Sequence, residues 1–434
     1  MDLSMNMIAA LGIIALMILL FSGMNIGAAM LTVAFFGTAY ITNFKAAFGL
    51  LSTQFYTTAA SYTLSVMPLF ILMGEFCYCS GLSRGLFTLA NRWLCKLPGN
   101  LACASVAACA GFGAICGSPT ATAATMGVVA LPVMKEHGYD DGLATGSISV
   151  GGTLGIMIPP STAFIVYGVL TGESIGKLFA SGIFPGIILC ALCCVTIVIM
   201  VKRNPALAPK GKIYTLKEKL EAFKGIWGVV ILFLIVIGGI LFGWFTPNEG
   251  AAMGALLALV YMIITRNFNL ENIKFCIVET TKAFGMTFLI VIGATLFGSF
   301  LALTRMPMAL ASFVDGLEVS RYVVLIAIVA IYAFLGCIMD SMAMLMLTVP
   351  IFLPVLLNLG FDPIWFGTLM VLVMELGLVT PPVGMNCYVM AGIAKGVPLS
   401  TIFRGSLPFV FAILITVALI AIFPGLSTWL PGLM

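Results

Sequence analysis

Three carboxylates interrupt otherwise apolar stretches of this chain: Glu75, Asp340 and Glu375. Only 8% of the residues are charged and 62% are hydrophobic. An acid in such surroundings serves ion binding, substrate coupling or a compensated hydrogen bond. Two double prolines, Pro159-Pro160 and Pro381-Pro382, stand in equally apolar surroundings. Proline gives no N–H and drives the residue before it out of the helical region. The runs from Gly151 to Thr162 and from Gly377 to Asn386 must therefore unwind, freeing carbonyls around Gly155, Ile158, Gly377 and Thr380. Free carbonyls in hydrocarbon persist only where something else satisfies them, and a small cation does so. For a single proline, a kink satisfied by neighbouring helices or water is the plainer reading; duplication of the pair favours a site.

Two further runs supply a second wall. Gly113 to Thr122 and Gly336 to Ser341 each join two short apolar limbs through small polar residues, with Ser118 and Asp340 at the turns. Hydroxyl, carboxylate and carbonyl oxygens without imidazole or thiolate clusters suit a hard cation such as Na+; a proton route through Asp340 stays open, as does an N-cap role. Glu75 and Glu375 read equally as structural carboxylates or transport residues. No arginine cluster lies in the apolar stretches to clamp an anion bidentately. An anionic solute would rely on hydroxyls, Asn386, helix N-termini and bound cations.

Several chemistries are excluded by composition. His137 is the only histidine, so a multi-histidine metal site or a histidine proton relay is ruled out. No Gly-x-x-x-x-Gly-Lys-Ser/Thr run offers a nucleotide phosphate cradle. The 12 cysteines sit mostly in apolar runs, Cys190, Cys193 and Cys194 included, where cysteine packs as a small apolar residue. No organic cofactor or transition metal and no nucleic-acid partner is indicated, and no convergent acid–base constellation suggests an enzyme.

The elements that must position these residues follow from hydropathy and internal repetition. A mean hydropathy of +1.18 over 434 residues predicts an all-α polytopic membrane protein. Met1 to Phe21 lacks a basic start and a small-residue cleavage site, and reads as a retained first helix. Pro132 and Pro354, Gly138 and Gly360, Asp140 and Asp362, and the two double prolines are each 222 positions apart. Leu82-Ser83-Arg84 matches Leu303-Thr304-Arg305 at 221, and Gly27 to Met30 matches Gly250 to Met253 at 223. The chain thus reads as two copies of one unit, residues 1–201 and 226–434, joined by a polar linker at 202–225. In that linker Thr215 and Glu218 form a capping-box pattern.

Each copy holds about five crossings plus one re-entrant hairpin. The crossings centre near Ala15, Val33, Leu72, Gly155 and Leu192, then near Ile235, Leu257, Ile292, Gly377 and Ile415. The hairpins run from about Leu101 to Met134 and from about Tyr322 to Leu356. An odd number of crossings inverts the second copy, the plan of many secondary transporters. With the N-terminus outside, 16 of the 20 Lys and Arg fall inside, Lys210 and the other linker cations among them. Only Lys45, Lys177, Arg305 and Arg321 are left outside. The positive-inside rule therefore puts both termini outside.

At Gly151-Gly-Thr-Leu-Gly-Ile-Met-Ile-Pro-Pro-Ser161, Gly117-Ser-Pro-Thr-Ala121 and Leu378-Val-Thr-Pro-Pro-Val-Gly384 the chain resembles the large membrane subunit of tripartite ATP-independent periplasmic (TRAP) transporters. The resemblance covers essentially the whole chain. It implies an elevator-type, sodium-coupled importer of carboxylates such as C4-dicarboxylates, 2-oxo acids or sialic acid, in a bacterial inner membrane with periplasmic termini. It also implies a separate small four-helix membrane subunit and a periplasmic substrate-binding protein. Carried onto these positions, it suggests Ser118 with carbonyls near Gly155, Ile158 and Pro160 for one sodium ion. Asp340 with Gly336, Gly377 and Thr380 would hold its mirror. Ser161, Thr162 and Asn386, which follow the breaks, are the substrate-side candidates. Lys45 to Leu64 and Leu270 to Lys282 would be arms bracing the moving part. A stand-alone dicarboxylate carrier and an integral-membrane enzyme are the alternatives.

Overall fold

The computed structural model describes residues 4–209, 211–316 and 319–434; Met1 to Leu3 of the first expected helix and Lys210 of the linker lie outside them. The described residues form helices and connecting turns, with no strand among them. Every expected crossing centre falls within a helix. In residues 1–201 the helices holding those centres are Met5–Phe21, Ile26–Ile41, Val66–Cys79, Asp141–Met157 and Ile175–Arg203. In residues 226–434 they are Trp227–Leu241, Pro247–Ile264, Leu270–Leu303, Pro363–Val379 and Leu399–Ile422.

Length alone separates these helices less cleanly than expected. Among the described residues, seven helices, or up to nine if each of two bent pairs is one span, are long and apolar enough to cross a bilayer. Met5–Phe21, Ile26–Ile41 and Pro363–Val379 are shorter apolar helices, while both limbs of the second hairpin, Arg321–Ile338 and Ser341–Asn358, pass. The hairpin limbs are accordingly not short: those of the first, Asn100–Cys116 and Pro119–Glu136, have 17 and 18 residues. At 1.5 Å per residue such a limb reaches roughly 27 Å, close to the thickness of the hydrocarbon core.

Two amphipathic helices, Leu82–Trp93 and Met306–Asp315, precede the hairpins; the sequence reading noted their Leu-Ser/Thr-Arg repeat without assigning a helix. The first buries Leu82, Leu86 and Phe87 and leaves Arg84 exposed. The arms differ between the copies. Phe44–Ala59 is a separate helix bent 54° from Thr63–Cys79, whereas Leu270–Leu303 continues unbroken for 34 residues. In the linker, Glu218 accepts from the backbone N–H of Thr215 at 2.7 Å and from its hydroxyl at 2.9 Å. These bonds hold the exposed Glu218 carboxyl below its ordinary value, backbone first.

Packing joins elements from the two halves of the chain. Ile26–Ile41 lies along Leu270–Leu303 and Val66–Cys79 along Pro247–Ile264, forming an outer frame. Close approach is set by glycine: a Cβ on Gly293 would meet the Gly27 carbonyl oxygen at 2.7 Å. Inside the frame, Asp141–Met157 packs between both limbs of the first hairpin, and Arg321–Ile338 packs on Pro363–Val379. The second half of each broken span crosses over: Thr162–Thr171 lies on hairpin limb Ser341–Asn358, and Met385–Ile393 on limb Pro119–Glu136. The hairpins and broken spans therefore form one interlocked block. Its core is fully buried, as at Phe112, Phe164, Tyr167 and Phe366.

Candidate functional site

Both double prolines end a helix. Asp141–Met157 stops at Ile158 (φ −81°, ψ 125°) and Pro363–Val379 at Thr380 (φ −103°, ψ 143°), both extended. The prolyl bonds Pro159-Pro160 and Pro381-Pro382 are cis. In a helix the Gly155 carbonyl would accept from residue 159 and the Gly377 carbonyl from residue 381. Both positions are proline, so each glycine carbonyl loses its intrahelical donor. The chain resumes as helix at Thr162 and Met385.

A hairpin tip lies against each break. Gly117, at φ +63°, closes the first limb, and its carbonyl accepts from the Thr162 hydroxyl at 3.0 Å. A Cβ on Gly117 would meet the Pro160 carbonyl oxygen at 2.5 Å, so both conformation and space require glycine. Ser118 caps the second limb by accepting from Ala121 N–H, and its hydroxyl lies 3.4 Å from that of Thr120. At the second tip, Asp340 Oδ2 caps Ser341–Asn358 by accepting from Met342 N–H at 2.9 Å and Ala343 N–H at 3.4 Å. The second break is joined to its tip where Val383 N–H donates to the Cys337 carbonyl at 3.2 Å, and Thr380 Oγ1 lies 3.2 Å from Cys337 Sγ. A Cβ on Gly336 would sit 3.4 Å from Gly377 Cα, and one on Gly113 only 2.5 Å from Gly155 Cα.

The two tips meet at one cavity of about 310 Å³. Ser118, Thr120, Asp340, Ser341 and Thr162 line it from the block; Glu75 and Thr287 line it from the frame. Among the described residues, no Lys, Arg or His contributes to its wall. Glu75 is thereby placed at the site. Thr120 and Ser341 lie in the two polar tip runs read from the sequence but were not singled out there as candidates, and Thr287 was missed. For Thr120 and Ser341 the signal was present, each being a hydroxyl within two residues of a turn residue. Thr287 lies on an apolar helix that nothing in the sequence brings to the tips.

Elsewhere the structure separates the candidates. Of the three substrate-side residues, Thr162 lines the cavity. Ser161 is fully buried, its hydroxyl donating to the Ile156 carbonyl and accepting from Phe164 N–H. Asn386 is also fully buried and donates to the Ser149 carbonyl at 2.9 Å. Gly155 and Pro160 lie against the first tip, Gly377 lies against Gly336 before the second, and Thr380 touches Cys337 there; the Ile158 side chain packs instead toward Gly186. Glu375 is away from the cavity wall: its Oε2 lies 2.7 Å from Thr153 Oγ1, joining the two broken spans. Thr153 and Glu375 are themselves 222 positions apart, so the repeat offset was the signal for this pairing. Glu375 Oε1 and Asn386 Oδ1 are buried without a partner among the described residues.

The helical frame, the interlocked hairpins and the broken spans define an all-α polytopic membrane protein. Its fold resembles that of the YdaH transporter of Alcanivorax borkumensis, with a TM-score of 0.61 and 16% identity over 89% of this chain and 90% of that one. The profile of the "Tripartite ATP-independent periplasmic transporter, DctM component" matches residues 13–426, and the chain belongs to this family of TRAP large permeases. It is 36% identical over 386 residues to the C4-dicarboxylate TRAP transporter large permease protein of Pseudomonas aeruginosa, covering 88% of this chain and 89% of that protein. It is 32% identical to the sialic acid TRAP transporter large permease protein of Vibrio cholerae, covering 96% of each.

Proposed function

We propose that this chain is the membrane permease of a sodium-coupled, binding-protein-dependent importer of carboxylate solutes. The observation that carries the reading is the single cavity where the two tips meet, with Ser118 and Asp340 in its wall and the Gly155 and Gly377 carbonyls released behind it. Oxygen donors of this kind suit Na+. Ser118 with the carbonyls of Gly155, Ile158 and Pro160 holds one ion; Asp340 with those of Gly336 and Gly377 and with Thr380 holds the second. The ions place positive charge beside a wall that has none of its own, which lets a carboxylate enter. The hairpins and broken spans then move as a block against the frame, an elevator motion that presents one site to either side. The two copies lie inverted in a bacterial inner membrane with both termini periplasmic. A small four-helix membrane subunit and a periplasmic binding protein complete the transporter.

The test is uptake of a radiolabelled carboxylate by proteoliposomes holding this chain with its small subunit. Uptake is expected only with the binding protein outside and an inward sodium gradient. Uptake that persists when potassium replaces sodium overturns the coupling. Full uptake by this chain alone identifies a stand-alone carrier instead.

A further inference from the structure

We infer that the solute this permease carries is a monocarboxylate bearing a hydroxyl or ammonium donor at its far end, and that Glu75 reads that donor. The inference rests on the proposed carboxylate chamber and narrows its substrate class.

Glu75 sits on Val66–Cys79 in the frame, and a Cβ on the adjacent Gly74 would lie 3.1 Å from Cys116 Cα. That close approach sets the Glu75 helix directly on the first hairpin tip, and Glu75 lines the shared cavity. Neither of the two ion pairs among the described residues includes Glu75: Lys135 pairs with Asp141, and Lys282 with Glu279 at 2.7 Å. Lys282, the frame cation nearest in sequence to cavity residue Thr287, is held by its own helix neighbour. Glu75 lines the chamber as an acceptor that forms no ion pair among the described residues.

The two walls consequently differ in what they accept. The block side offers the hydroxyls of Ser118, Thr120 and Ser341 and the sodium ligands, a setting for the solute's anionic group. The frame side offers Glu75 and the Thr287 hydroxyl. A dicarboxylate spanning the chamber would bring its second carboxylate against Glu75, and juxtaposed like charges are strongly disfavoured. A hydroxyl or ammonium there donates to Glu75, and a hydrogen bond to a charged group is among the stronger kinds. Between the two relatives' named solutes, sialic acid, with one carboxylate and several hydroxyls, fits this pattern; a C4-dicarboxylate does not.

The test uses the complex of this chain with its small subunit in sodium buffer, read by thermal stabilisation. The probes share a four-carbon carboxylate and differ only at the far end: 4-hydroxybutyrate, 4-aminobutyrate, butyrate and succinate, with sialic acid as a fifth. The expected result is that sialic acid or a donor-bearing probe stabilises at concentrations at least tenfold below succinate. E75Q should shrink that preference to within about threefold by improving succinate. Equal or better binding of succinate by the wild-type complex overturns the inference, as does an unchanged preference in E75Q. The wild-type comparison decides even if E75Q fails to fold. Stabilisation by none of the five overturns the carboxylate chamber itself, and with it this inference.

Discussion

Asp340 does two jobs with two oxygens. Oδ2 caps Ser341–Asn358 through the Met342 and Ala343 amides, while the residue lines the chamber. Asparagine caps a helix about as well as aspartate, so Asp340→Asn separates the cap from the charge. Expression and melting temperature should stay near wild type, while the sodium concentration for half-maximal uptake rises about tenfold, equivalent to about 1.4 kcal/mol. Uptake titrated against sodium checks this, and an unchanged sodium dependence removes Asp340 from coupling. Glu375 shows how far side-chain type alone can mislead. In the sequence it resembles Glu75, an acid in an apolar run, yet one reaches the cavity and the other bonds Thr153 inside the block. Both are flanked by apolar residues; which helix packs on which face is not written there.

At the scale of elements, the breaks were legible because proline acts locally. A missing N–H and a steric clash with the preceding residue need no tertiary partner. The tips were legible for a similar reason, since Ser118 and Asp340 cap the helices that follow them. Limb length and the two amphipathic helices were not, because a re-entrant limb of 18 apolar residues and a true crossing share composition. What holds tip to break is close glycine contact. A Cβ on Gly155 would lie 2.6 Å from Thr122 Oγ1 and 2.9 Å from the Ser118 carbonyl oxygen. The carbonyl belongs to the tip backbone and cannot swing aside, so Gly155→Ala should cost about 1–3 kcal/mol by overpacking. Gly392, with nothing within 4 Å of a built Cβ, is the control: Gly392→Ala should be neutral or slightly stabilising. Melting of the two purified variants tests the pair, and equal melting temperatures would refute the tight tip.

At the scale of the whole molecule, the charge count along the chain bears on orientation. Lys and Arg crowd the segments expected inside, and their bias sets orientation during insertion. Alkaline phosphatase fused after Met434 should be active and green fluorescent protein there dark, with the opposite pattern for fusions truncated within the linker near Lys217. A fluorescent C-terminal fusion would reverse the proposed topology. Taken by itself, the amino-acid sequence determined what depends on near neighbours: membrane solvent, the positions of the breaks and the residues at the turns. Only the tertiary structure decided which of these meet. Frame helices pair between the two halves of the chain, half-spans cross onto the hairpin of the other half, and Glu75 and Thr287 join the two tips at one cavity. The reason is physical: in the long apolar helices every face is hydrophobic, so periodicity points nowhere, and contact is settled by where glycines let backbones approach.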